Sequence, residues 1–207
     1  MSDITAMVQA ERASLATFLE TLSEEQWKHP SWCHKWNVQE VVGHLVAAAN
    51  VKAPRFFLAL IKSGFNFDKV VENDLKQYAV GTPAEVLARF KGIVSSTRKP
   101  PGPAYVALGE VMVHGEDIRR ALGADPGTHP EEHLRTLAEQ YKQTKSPLKG
   151  KMRVAGLRLV ASDIDWSSAP EGNEVHGPAM SLILAMVGRK GAHKDLGGPG
   201  AKTFASR

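Results

Sequence analysis

The chain has 207 residues, is 43% hydrophobic and 23% charged, and holds one cysteine. Such an apolar share excludes a largely disordered chain. One cysteine excludes an intramolecular disulfide framework and any all-cysteine zinc or iron–sulfur site, and it fits a reducing compartment. The net charge of +4 is mild. No run approaches the roughly 20 apolar residues of a membrane span; the best, Val38 to Val51, is broken by Glu40, His44 and Asn50. The start carries Asp3 and Glu11 and lacks the basic-then-apolar pattern of a secretory signal. A cytoplasmic location without a membrane partner is the expectation.

In chain order, Ile4, Val8, Leu15, Phe18 and Leu22 recur at helical steps and predict a first helix. Ser23 to Trp36 reads as a polar connection studded with Trp27, Trp32 and Trp36, with Cys33 and His34 near its end. A second helix is expected from Asn37, which can cap while Glu40 reaches back; Val38, Val41, Val42, Leu45, Val46 and Ala49 form its buried side. It should fray near Pro54, with an apolar segment from Arg55 to Ile61. Ser63 to Gly81 is expected as a loop with short turns. Thr82, Pro83 and Glu85 open a third helix running to about Arg98. Lys99 to Pro103 reads as a stiff connector. A fourth helix spans about Ala104 to Leu122, with Gly123 as a left-handed stop. A fifth runs from Pro130 to Lys145 and ends at Ser146-Pro147.

Beyond Pro147 the period changes. Val154 to Asp165 reads as a strand, Ser167 to Gly172 as turn chemistry, and Asn173 to His176 as a short second strand. Pro178 to Arg189 predicts a compact apolar helix, and Gly197-Gly198-Pro199-Gly200 a loose tail. The expected class is mainly α with a small α+β part. A bundle of about four main helices covers residues 1–147, and a short β-hairpin/helix appendage packed on it covers 148–207.

Of eight histidines, His44 and His114 lie inside helices with apolar neighbours. Glu110 precedes His114 by four residues, so the two side chains stack on one helix face. His44, on the second helix, is the candidate for a third point. Two imidazoles and a carboxylate would leave one position open on a tetrahedral zinc ion, where catalytic sites hold water or substrate; the same set also suits nickel, iron or manganese. The bland alternative is a hydrogen-bonded surface pair and a satisfied core histidine. Asp117, three residues past His114, could orient a metal-bound imidazole or pair with Arg120. Arg119 and Arg120 could hold an acidic group or complement the helix dipole. Cys33 has three open readings: fourth ligand, reactive thiol or small buried hydrophobe. Trp32 and Trp36 read as anchors of the connection, by packing rather than by ligand stacking, and His29, His129, His133 and His193 as surface. Tyr141 to Val160 carries Lys142, Lys145, Lys149, Lys151, Arg153 and Arg158 without an acid. This stretch suits an anionic ligand or a solvated face. It lacks the aromatic interleaving or reading helix of a nucleic-acid binder.

The stretch Trp36-Asn37-Val38-Gln39-Glu40-Val41-Val42-Gly43-His44-Leu45 resembles the Trp–x–Val–x–acid–x–x–x–His–Leu motif of the DinB-like superfamily, and more narrowly of the mycothiol-dependent maleylpyruvate isomerase family. Gly109-Glu110-Val111-Met112-Val113-His114-Gly115-Glu116-Asp117, continuing through Arg119-Arg120 to Gly123, resembles that family's second motif. Asp3 to Leu22, and segments from Gly156 to Arg189, are similar to its opening helix and C-terminal part. The resemblance implies an up-down four-helix bundle holding a divalent metal, commonly zinc, on His44, Glu110 and His114. It further implies mycothiol as thiol cosubstrate, with Arg119 and Arg120 as candidate cofactor-binding residues, and a possible homodimer. A dication would favour the thiolate of a bound thiol, whose free pKa is near 8.5, for attack on an electrophilic small molecule by isomerisation or transfer. The family's isomerase is expected to carry a C-terminal domain longer than 148–207, so maleylpyruvate is not assigned as substrate. The alternative is a non-catalytic metal- or ligand-binding protein on the same bundle.

Overall fold

The computed structural model of the protein describes residues 3–33, 36–51, 53–64, 66–99 and 102–207. His34, and Pro100 and Pro101 of the expected connector, lie outside the described residues. The chain divides into two compact units, Met1–Thr128 and His129–Arg207.

The first unit contains α1 (Ile4–Leu19), α2 (Glu24–Lys28), α3 (Val38–Asn50), α4 (Ala53–Lys62), α5 (Phe67–Tyr78), α6 (Pro83–Lys91) and α7 (Tyr105–Ala121). Helices α1 and α3 each pack on both α6 and α7, which closes a ring of four. Leu15, Leu19, Val41, Val42, Leu45, Phe90, Leu108, Met112 and Ile118 fill its interior. The helix starts follow the local chemistry of the sequence. Asn37 Oδ1 accepts from Glu40 N at 2.9 Å while Glu40 Oε2 accepts from Asn37 N at 2.8 Å. Thr82 and Glu85 repeat this reciprocal cap with Pro83 in the first turn. Each such cap contributes about 1 kcal/mol.

Three expectations are corrected here. The connection 23–36 contains the short helix α2, started by a capping box of Ser23 and Gln26. The third main helix stops at Lys91 instead of Arg98, because the chain turns at 92–95; Arg12 Nη1 holds that turn by donating to Ile93 O at 3.0 Å and Ser96 O at 2.9 Å. The expected loop 63–81 is mostly helix α5, capped by Asn66. Its charged sequence hides the period, and its order comes from packing on α3 and α4. The approach is closest at Gly43, where a Cβ would stand 2.6 Å from Ala79 Cβ. Pro54 falls in the first turn of α4, where a missing N–H costs little.

The second unit contains α8 (Glu131–Tyr141), α9 (Gly150–Arg153), β1 (Leu157–Ala161), β2 (Asn173–Gly177), α10 (Ala179–Met186), a 3-10 helix (Lys190–Asp195) and α11 (Ala201–Ala205). Helix α8 packs on α10, so contacts group it with the second unit, one helix earlier than the boundary expected at 147. All of α10 is buried. His133, expected at the surface, is buried because it shares a face of α8 with Leu137 and Tyr141.

The two strands do not form a hairpin. They pair parallel, with Leu157 opposite Asn173 and Ala161 opposite Gly177. After β1 the chain does reverse, but the returning stretch Trp166–Ser168 lies along β1's other edge. There Ala161 N donates to Trp166 O at 3.0 Å and Ser168 N to Leu159 O at 2.9 Å. The chain then crosses back, so β2 runs in the direction of β1. The expected loose tail is ordered as well. Gly200 N donates to Glu174 O at 2.8 Å, Phe204 is buried, and Arg207 Nη1 donates to the carbonyls of Arg153 and Ala155 at 2.8 and 2.6 Å. Within the basic stretch, Lys142 pairs with Glu139, Arg158 with Glu174, and Arg153 Nη1 donates to the carbonyls of Leu148 and Met186. No helix among the described residues is long and apolar enough to cross a membrane.

Candidate metal centre

Helix α3 supplies His44, and α7 supplies Glu110, His114 and Asp117 at spacings of four and three residues. Because α3 packs on α7, the two segments meet. Glu110 Oε2 stands 2.8 Å from His44 Nε2 and 3.5 Å from His114 Nε2. The donor atoms of His44, Glu110 and His114 all lie within 4.8 Å of one another. The three residues thus supply nitrogen, oxygen and nitrogen from two helices at one point. Glu110 and His44 keep 29% and 16% side-chain exposure, whereas His114 has 11% and Asp117 none. One flank of the cluster is therefore open to solvent and the other is dry.

On the dry flank, Asp117 Oδ2 lies 3.0 Å from His114 Nδ1. That bond fixes the ring and directs Nε2 toward Glu110, the arrangement by which outer carboxylates orient metal-bound imidazoles. Burial alone would lower the pKa of His114. Hydrogen bonding to Asp117, then to Cys33, and the charge of Glu110 outweigh it, raising the value to about 10 in the metal-free protein. A dication on Nε2 would take the place of one ring proton while Asp117 keeps the other.

The connection before α3 completes the surroundings. Trp32 N donates to Asp117 O at 3.1 Å, and Trp36 N to Cys33 O at 3.0 Å. Ser31 Oγ donates to Trp36 O at 2.8 Å. Pinned in this way, the loop sets the Trp36 ring 4.9 Å from that of His44 and 6.3 Å from that of His114, centroid to centroid. It also brings Cys33 to His114, and Cys33, His114 and Asp117 form another set of donor atoms within 4.8 Å. A narrow crevice adjoins Glu110; its other lining includes Arg12, Leu45, Phe90 and Val111.

Arg119 and Arg120 lie elsewhere on α7, in contacts internal to the first unit. The Arg119 guanidinium sits 3.9 Å over the Phe18 ring. Arg120 Nε donates to buried Glu116 Oε2 at 2.9 Å. For Trp36 the sequence weighs packing over ligand stacking; its place directly before the cap residue Asn37 is the signal that ties it to the helix of His44.

The first unit is a helical ring with a histidine–carboxylate cluster between two of its helices. Residues 8–99 match the family model for the mycothiol maleylpyruvate isomerase N-terminal domain. That match includes His44, whereas Glu110 and His114 lie beyond it. Two solved structures share the fold: a crystal structure of the mycothiol-dependent maleylpyruvate isomerase and one of its histidine-to-alanine mutant. They align with TM-scores of 0.60 and 0.62 at 14% identity, over 90% of this chain and 88% of theirs. These findings name the family whose motifs the sequence resembles; the family match spans residues 8–99, and the two solved structures show a shared fold. The isomerase was expected to carry a C-terminal domain longer than 148–207; the alignment covers 88% of the solved chains and 90% of this one, which leaves a similar share of each uncovered. No curated protein sequence matches the chain.

Proposed function

We propose that this protein is an isomerase or transferase that uses a low-molecular-weight thiol, with a divalent metal held by His44, Glu110 and His114. The observation that carries the reading is the meeting of the two imidazole Nε2 atoms at one Glu110 oxygen, 2.8 and 3.5 Å away. Zinc is the metal that two imidazoles and one carboxylate most often hold with an open position. When bound, the dication favours the thiolate, the nucleophilic form of a thiol whose free pKa is about 8.5.

The chain's own residues do the rest. Asp117 accepts from His114 Nδ1 and so turns Nε2 toward Glu110 and His44. The Trp36 ring packs at a tilt against His44, 4.9 Å between centroids, and stands 6.3 Å from His114. The partly exposed Glu110 leaves the cluster reachable from solvent on one side. The cosubstrate is a small thiol, mycothiol by the name of the solved neighbours, and the other reactant is an electrophilic small molecule. The reading fits a cytoplasmic location, where thiols are kept reduced.

The test is an incubation of the protein with a thiol and a generic electrophile, with and without chelator, alongside metal analysis of the untreated protein. Thiol consumption is expected only in the metal-loaded sample, and His44→Ala and His114→Ala should lose turnover together with the ion held by His44, Glu110 and His114. Failure to take up any divalent metal, or thiol consumption indifferent to both substitutions, overturns the reading. Metal uptake with no thiol consumption would instead identify a non-catalytic binding protein.

A further inference from the structure

The His114 imidazole serves two donor sets. One is the set of the proposed centre, reached through Nε2. The other is Cys33, His114 and Asp117, whose donor atoms also lie within 4.8 Å of one another. We propose that this second set is a distinct cation position, selective for thiophilic divalent ions such as cobalt, cadmium or surplus zinc. Its donors are one sulfur, one nitrogen and one carboxylate oxygen, and thiolate donors select soft and borderline ions over magnesium or calcium.

The position is built before any ion arrives. Asp117 has no side-chain exposure and already stands 3.0 Å from His114 Nδ1. Cys33 is held by its backbone: Ser31 Oγ accepts from Cys33 N at 3.1 Å and donates to Cys33 O at 3.3 Å, while Cys33 O also accepts from Trp36 N at 3.0 Å. The same loop is tied to α7 at the residue that supplies the oxygen, through Trp32 N and Asp117 O at 3.1 Å. Cys33 is half-buried, which leaves an entry path from solvent. The proposal shares His114 and the carboxylate of Asp117 with the preceding reading, and an ion at the second position competes with the first for that ring.

Cobalt titration of the full chain tests it, because a thiolate ligand adds a near-ultraviolet charge-transfer band to the visible bands that any bound cobalt shows. The wild type should develop the charge-transfer band. Cys33→Ser should lose that band and still bind cobalt at His44, Glu110 and His114. His44→Ala and Glu110→Gln, which spare the second set, should keep it. Cobalt uptake by the wild type without the band overturns this proposal and leaves the proposed function standing. A band that disappears in His44→Ala and Glu110→Gln also overturns it, since Cys33 would then ligate an ion in the first set. Absence of any cobalt uptake by the wild type overturns both.

Discussion

Replacing Asp117 tests whether the dry side of the cluster matters to the open side. Its carboxylate accepts from His114 Nδ1 at 3.0 Å and is wholly buried. A hydrogen bond to a charged group contributes about 1.5–3 kcal/mol. Loss of an outer-sphere partner typically weakens metal affinity about 10–100-fold, which is about 1.4–2.8 kcal/mol at 1.4 kcal/mol per tenfold. The two estimates agree. Asp117→Asn keeps an acceptor oxygen and removes the charge, so it should weaken metal binding roughly tenfold. Asp117→Ala leaves the Nδ1–H without this acceptor and should approach a hundredfold loss. Competition against a chelator of known affinity reads both values. The backbone tie between Asp117 O and Trp32 N does not involve the altered side chain, so the loop should stay in place. Unchanged affinity in both variants, with binding abolished in His114→Ala, would refute the argument that Asp117 orients the ring.

Three further outcomes follow from the packing. Glu116 joins Arg120 Nε to Gly127 N through its two oxygens, at 2.9 and 2.7 Å, with no side-chain exposure. Glu116→Ala should therefore lower the unfolding free energy in urea by about 3–5 kcal/mol, and Glu116→Gln by less. Gly43→Ala gains up to about 1 kcal/mol of helix propensity but sets a Cβ 2.6 Å from Ala79 Cβ, an overpacking that costs about 1–3 kcal/mol; a melting temperature above wild type would show that α5 yields freely. Burial, then Arg153, depresses the pKa of His193 below its ordinary 6.5. The unfolded chain then takes up the proton first, so stability should fall as pH drops through 6.5 toward the folded value. His193→Gln should flatten that part of the stability–pH curve, and an identical slope in the variant would count against the assignment.

Helix starts were the most legible part of the sequence, because a cap is a local device. Asn37 with Glu40, and Thr82 with Pro83 and Glu85, act within three residues of themselves, and Gly123 takes the positive φ of 66° that a left-handed stop requires. Helix α5 was not legible, since its charges mask the buried positions and its order depends on α3. The turn chemistry after β1 announced a reversal, which occurs, but not the second crossing that makes β2 parallel. At the cluster, the four-residue step from Glu110 to His114 is a property of one helix and could be read directly. The arrival of His44 depends on which helices pack together, and there the motif resemblance supplied what spacing lacked. The places of Cys33 and Trp36 rest on a tie between Trp32 and Asp117, 85 positions apart in the chain; no periodicity encodes such a tie.

The small sheet in the second unit has a consequence for how this protein meets other copies of itself. One rim of β1 is occupied by Trp166–Ser168. The outer rim of β2 is occupied by the segment after the 3-10 helix, where His176 and Gly197 exchange two backbone bonds of 2.9 Å. Neither strand presents an unpaired ladder on which a neighbouring chain could template. Strand-addition aggregation is thus blocked by the protein's own irregular segments, and self-association has to proceed through side-chain surfaces.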